Sequence, residues 1–219
     1  MIGRIARGIG LALAGLVAAF MTLSLLYWLV TPPSTLMLGR WLTLSPVDRR
    51  AVSLGAVSEH LPRAVVTSED GRFCRHGGVD WGALRDVIDD EDGPSRGAST
   101  IPMQVAKNLF LWPGRSYLRK GIEIPVALWL DLVWSKRRMM EVYLNVAEWG
   151  DGIFGAEAAA RAYFGKSARD LTRREAALLA TALPNPKRRD PSRPSAGHRR
   201  LADRLTARMA AAGPLTECL

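Results

Sequence analysis

Four stretches of the chain carry side chains whose types and spacing could do chemistry. In Glu69-Asp70-Gly71-Arg72-Phe73-Cys74-Arg75-His76-Gly77-Gly78-Val79-Asp80, two adjacent carboxylates follow the apolar Val65 and Val66 and precede a glycine-rich turn. Such a helix-to-loop junction presents one acid at a cleft edge, where a partly apolar wall raises its pKa toward the range a general acid or base needs. A surface or capping role stays open to the same two acids, and His76 before two glycines reads as a structural hydrogen-bonding residue. Asp70, His76 and Asp80 do not have the spacing of a metal site. In the second stretch, Ser99 or Thr100 caps a helix whose first turn takes Pro102, and Thr100, Gln104, Lys107 and Asn108 share one face. A helix start with hydroxyl and amide donors and a lysine suits a phosphate; an ordinary capped amphipathic helix is the alternative. The third stretch sets Arg119 and Lys120 one turn before Glu123. That is either a surface ion pair or a carboxylate built into a diphosphate clamp. In the fourth, Glu141, Asn145 and Glu148 share a polar face opposite Met139 and Tyr143, and most of the run from Lys136 to Lys166 reads as scaffold.

The elements that must position these groups are helices. Thr172-Arg173-Arg174-Glu175 has the form of a capping box ahead of Ala176, Leu179, Ala180 and Leu183, and Asp80 can cap a helix through Trp81, Leu84 and Ile88. Strand-like alternation is scarce, so the body is expected to be mainly α, with roughly eight or more helices. Gly121 and Pro125 inside one of them predict a kink. The chain has 219 residues, and its mean hydropathy of +0.01 is high for one with 23% charged residues. That excess traces to Ile9–Val30, a run of 22 residues without a charge. Roughly 20 such residues cross a bilayer as a helix. Tyr27 and Trp28 suit an interfacial belt, Pro32-Pro33 ends the helix, and Arg4 and Arg7 favour a cytoplasmic N-terminus. The expected organisation is therefore a tail at 1–8, an anchor at 9–30, a connector at 31–60, a catalytic body at 61–190 and a basic extension at 191–219. Residues 161–219 carry 13 Lys and Arg against 5 Asp and Glu, so most of the net charge of +9 lies there. A solvated face or contact with anionic lipid accounts for it, and no helix-turn-helix, zinc or ribonucleoprotein pattern points to nucleic acid. With Cys74 internal and Cys218 near a chain end expected to fray, no structural bridge is expected.

Together the stretches resemble the family-51 glycosyltransferases, the peptidoglycan glycosyltransferase domains of class A penicillin-binding proteins and their monofunctional relatives. The matching patterns are ED..F..H.G.D from Glu69, G.STI..Q..KN from Gly97, RK..E from Arg119, K....E.YLN....G....G...AA..YFGK from Lys136 and EAALLA..P from Glu175. They run in order over about residues 60–190, and no transpeptidase domain follows, which implies a monofunctional member. The resemblance implies a lysozyme-like α fold that polymerises lipid II on the outer face of the inner membrane. Glu69 would be the general base that activates the acceptor 4-hydroxyl, and Glu123 a second essential acid. Asp70, Ser99, Thr100, Gln104, Lys107, Asn108, Arg119 and Lys120 would hold sugar and diphosphate, while Lys136, Glu141, Tyr143 and Asn145 shape the cleft. No cofactor is required; a divalent cation such as Mg can assist at the diphosphate, although the motifs supply no protein cage for one. Expected partners are lipid II, the growing glycan chain, membrane lipids and other cell-wall or cell-division proteins, with no nucleic acid. Met103 stands where many relatives have a second Gln. A lytic glycosidase and an inactive cell-wall scaffold are the competing expectations; the cations around Ser99 to Lys120 argue against the first, and retention of both Glu69 and Glu123 against the second.

Overall fold

A computed structural model describes residues 2–89, 99–114, 116–211 and 215–219. The chain forms two compact units, Met1–Pro32 and Pro33–Leu219. The first is a single helix, α1 (Ile2–Leu29), of which Gly3–Leu29 is long and apolar enough to cross a membrane. At about 1.5 Å per residue it exceeds the hydrocarbon thickness of a bilayer. The helix starts ahead of the uncharged run because Arg4 and Arg7 are themselves good helix formers.

The second unit is mainly helical. Short polar side chains start its helices by taking a backbone N–H of the first turn. Ser34 does so for α2 (Thr35–Leu42), which is followed by the short strand β1 (Asp48–Arg49) and by α3 (His60–Glu69). Asp80 caps α4 (Trp81–Ile88), Thr100 caps α5 (Ile101–Phe110), Ser116 caps α6 (Tyr117–Val133) and Ser135 caps α7 (Lys136–Val146). Next come β2 (Glu148–Gly150) and β3 (Ile153–Phe154), which lies between parallel β1 and antiparallel β2. The remaining helices are α8 (Ala156–Phe164), α9 (Arg173–Ala182) and α10 (Ala196–Ala211). The predicted capping box forms in full: Thr172 accepts from the Glu175 N–H while Glu175 accepts from that of Thr172. α6 runs continuously through Pro125, whose missing N–H would have met the carbonyl of Gly121.

Two helix groups surround the site. α9 packs on both α3 and α10, which also meet each other, and is buried through Ala176, Ala177, Leu179 and Ala180. α5 packs on both α6 and α7, burying Val105 and Ala106 beside Ala127, Leu130, Met139 and Met140. Gly78 makes a close approach between the segment after α3 and α6: its φ is +83°, and a Cβ there would lie 2.7 Å from the Ala127 carbonyl oxygen.

The chain end departs from expectation. Residues 191–219, read from sequence as an extension, place Ala202, Leu205 and Met209 of α10 in the core. Cys218 is not frayed but bonded to Cys74, with Cα atoms 5.6 Å apart. The bridge was missed because only the docking of α10 on α9 and α3 brings positions 144 apart in sequence together.

Candidate active site

Glu69 ends α3, the position the sequence predicted, and is half-buried. One oxygen accepts from Gln104 Nε2 at 3.2 Å and the other from Ser68 Oγ at 3.2 Å. Burial pushes its pKa above the ordinary glutamate value, opposed by those two hydrogen bonds and by the charge of Lys107. Tyr143, buried on α7, donates from its hydroxyl to Gln104 Oε1 at 3.1 Å. Its phenol stays protonated because burial, then the charges of Glu69 and Asp70, raise its pKa well beyond the usual value. The ionised Glu69 carboxylate can only accept, so Gln104 turns its NH₂ toward it, and the Tyr143 hydroxyl supports that orientation by donating to the amide oxygen.

The cationic half comes from α5 and α6. Glu123 is 3% exposed, in ion-pair contact with Arg119, and its Oε2 accepts from Lys120 Nζ at 3.1 Å. Lys120 also donates to Ser99 Oγ at 2.6 Å, which ties α6 to the residue before the α5 cap. This is no surface ion pair: Arg119 too is buried. Burial, then the charges of Arg119 and Lys107, lower the Lys120 pKa to about 8. Burial also lowers that of Lys107.

Two clefts meet at the Glu69–Gln104 hydrogen bond. One, about 360 Å³, is lined by Gln104, Lys107, Asn108, Arg119, Tyr143 and Trp112. The other, about 880 Å³, is lined by Glu69, Ser99, Arg72 and Arg208 among others. Arg208 of α10 and Trp112 were not foreseen as cleft residues. Arg208 falls outside every motif, so the sequence held no signal for it.

Other expected ligands are committed elsewhere. The start of α5 is not an open anion cradle, since Asp70 already fills it, accepting from the Ile101 N–H at 2.9 Å and bonding His76 Nε2 at 2.8 Å. Thr100 is buried and donates to the Gly78 carbonyl at 2.6 Å. Both therefore position α5, because a burial-driven fold satisfies such groups internally, while each still forms part of the wall of the larger cleft. Met103 is fully buried, so a second Gln at that position would not reach the cleft here. Lys136 bonds the His76 carbonyl and Asp131, and Asn145 and Glu141 hold the backbone at Val52 and Leu54. Gly97, the first residue of its motif, lies outside the described residues.

A carboxylate of raised proton affinity lies across Gln104 from the cations Lys107 and Arg119 of the smaller cleft, an arrangement suited to group transfer, in a helical chain that also carries an apolar N-terminal helix. The chain belongs to the transglycosylase family, whose pattern it matches over residues 37–210. Its relatives include the biosynthetic peptidoglycan transglycosylase of Rhodopseudomonas palustris (strain HaA2), 53% identical over 98% of this chain and 96% of that protein. Proteins of the same name from Brucella suis biovar 1 and Agrobacterium fabrum are 54% and 55% identical, each over 87% of this chain and 86% and 85% of their own lengths.

Proposed function

We propose that this protein is a peptidoglycan glycosyltransferase that polymerises lipid II into glycan strands, inverting the anomeric centre and releasing undecaprenyl diphosphate. The observation that carries the reading is the position of Glu69, at the junction of two clefts, with the cations on the far side of Gln104. The growing chain lies in the smaller cleft with its diphosphate against Lys107 and Arg119, and Lys120 stands beside Arg119 in an adjoining recess. The acceptor lipid II enters from the larger cleft. Glu69, ionised, takes the proton of the acceptor 4-hydroxyl as that oxygen attacks the anomeric carbon, and the C–O bond to diphosphate breaks on the opposite face. Fixed cations in a partly desolvated site stabilise the charge that develops on the leaving group. Glu123 acts through those cations, since its carboxylate is spent holding Arg119 and Lys120 in place. A hydrolase has no diphosphate to stabilise, so the buried cations favour transfer over lysis. Any divalent cation would be held mainly by the diphosphate, because no cluster of three or more His, Cys, Asp or Glu converges among the described residues.

The protein sits in the inner membrane by α1, N-terminus in the cytoplasm and catalytic domain in the periplasm. Arg4 and Arg7 at the start of α1 support that orientation, and so does the Cys74–Cys218 bridge, which suits an oxidising compartment. The test is polymerisation of purified lipid II by the full chain in detergent. Wild type should yield glycan strands and Glu69→Gln none, with unchanged thermal unfolding; strands of normal yield from the variant would remove Glu69 from its role.

A further inference from the structure

One wall of the Glu69 cleft comes from none of the sequence motifs. Arg208, near the end of α10, donates from Nη2 to the Thr67 carbonyl at 2.6 Å, two residues before Glu69, and its side chain lines the larger cleft. A guanidinium carries five N–H donors, so one bond to a carbonyl leaves most of its capacity open. The other arginine of this wall, Arg72, is engaged by Asp80 through Nε at 2.7 Å. Asp70 is likewise answered by His76 and the Ile101 N–H. No acidic side chain among the described residues pairs with Arg208. The cleft also holds Glu69 and Asp86, and Arg208, the arginine of this wall that no acidic side chain among the described residues engages, is placed to offset the repulsion an anionic molecule meets there.

A second observation keeps Arg208 near that wall. Cys74 follows Glu69 by five residues and Cys218 follows Arg208 by ten, so the disulfide ties the tail of α10 to the segment that leaves Glu69. The bridge limits how far the end of α10 can move from α3 to the reach of the residues that separate Arg208 from Cys218.

We propose that Arg208 is an anion-binding residue of the acceptor half of the site, held in place by the Cys74–Cys218 bridge. It takes an oxyanion of the incoming lipid-linked sugar, either a diphosphate oxygen or a stem-peptide carboxylate, and so sets acceptor affinity rather than the chemical step. The proposal rests on the glycosyltransferase reading above.

The experiment is steady-state polymerisation by the full chain in detergent across a lipid II titration, for wild type, Arg208→Gln and Arg208→Lys, at a temperature well below unfolding. Arg208→Gln should raise KM about tenfold with kcat within about twofold, the lower end for a hydrogen bond to a charged group given how exposed Arg208 is. Arg208→Lys, which keeps a point charge, should recover part of that loss. If Arg208 only caps the end of α3, Arg208→Gln will instead lower kcat and move the acid limb of the pH profile at constant KM, and the proposal fails. Repeating the titration with lipid II lacking its stem peptide assigns the anion: a persistent penalty means diphosphate, a vanished one means carboxylate. Cys74→Ser/Cys218→Ser, or wild type reduced with dithiothreitol, should raise KM to a similar degree; an unchanged KM would remove the bridge from the proposal. Wild type that makes no polymer would defeat the glycosyltransferase reading itself, whereas active wild type with an unaffected Arg208→Gln defeats only this inference.

Discussion

Replacing Glu123 by Gln tests whether the cationic half of the site is held by a buried charge or merely decorated by one. Glu123 is 3% exposed and faces two cations, Arg119 in contact through one oxygen and Lys120 at 3.1 Å through the other. Removing one partner of a buried ion pair costs roughly 3–5 kcal/mol, because the remaining charge is left without compensation in a poorly solvated place. The side chain of Lys120 is 34% exposed and can turn to water, so the penalty concentrates on Arg119, at 10%. That places the expected loss near the lower bound, about 3 kcal/mol. For a chain of this size it corresponds to a fall of about 6–12 °C in melting temperature. Thermal unfolding of the full chain in detergent measures the shift, with a double-mutant cycle through Arg119→Met and Glu123→Leu. The double replacement should recover most of the loss, since no buried charge is then left alone. Polymerisation should fall steeply in both variants, although Glu69 is untouched. A Glu123→Gln variant within about 1 kcal/mol of wild type would mean the pair is solvent-screened like a surface bridge, and the reasoning would be refuted.

Five further outcomes are expected. Because burial raises the Glu69 pKa, its ionised fraction falls earlier on acidification than an ordinary glutamate's, so the acid limb of kcat should lie above the ordinary glutamate value. The alkaline limb should fall near pH 8, where Lys120 loses its proton, and Lys120→Arg should move that limb upward if the charge at this position is what counts. Tyr143→Phe removes the donor that orients Gln104; kcat should drop about tenfold, the upper range for a neutral hydrogen bond, with little change in unfolding, and an unchanged kcat would show that Gln104 is oriented without it. Gly78→Ala forces a Cβ to 2.7 Å from the Ala127 carbonyl at a φ of +83°, and denaturant unfolding should show a loss of about 2 kcal/mol or more, because neither backbone can yield cheaply. Cys74→Ser/Cys218→Ser should lower stability by about 4 kcal/mol, since a bridge across 144 residues of sequence removes much freedom from the unfolded chain; coincident melting curves would place the anchoring of α10 in its apolar contacts alone.

What could be read in advance divides by the range of the interaction. Asp80, Thr100 and the Thr172–Glu175 box act within one helical turn, and each caps the helix its spacing predicted. α1 was equally legible, because crossing a bilayer needs only length and the absence of charge. Glu69 was found at a helix end for the same reason, yet what raises its pKa is burial by the tertiary fold, which no local pattern encodes. Asp70 and Thr100 look from spacing like ligands, and only the fold reveals that Ile101, His76 and Gly78 already engage them. The errors at Cys218 and Arg208 have one cause, the return of α10 to α3.

That return also changes how the net charge should be understood. The excess of Lys and Arg in residues 161–219 looked remote from the chemistry, and most of it does lie away from the clefts. Arg208 is the exception among the cleft residues, and what separates it from the other arginines of α10 is position, not type. Arg204, one turn earlier, faces a different pocket with Arg189 and Arg200, while Arg208 meets the carbonyl end of α3. A cation there is favoured twice, by the negative end of the α3 dipole and by the Thr67 carbonyl, before any substrate arrives. The fold therefore bears the cost of holding a charge beside Glu69, and an incoming anion finds it already in place.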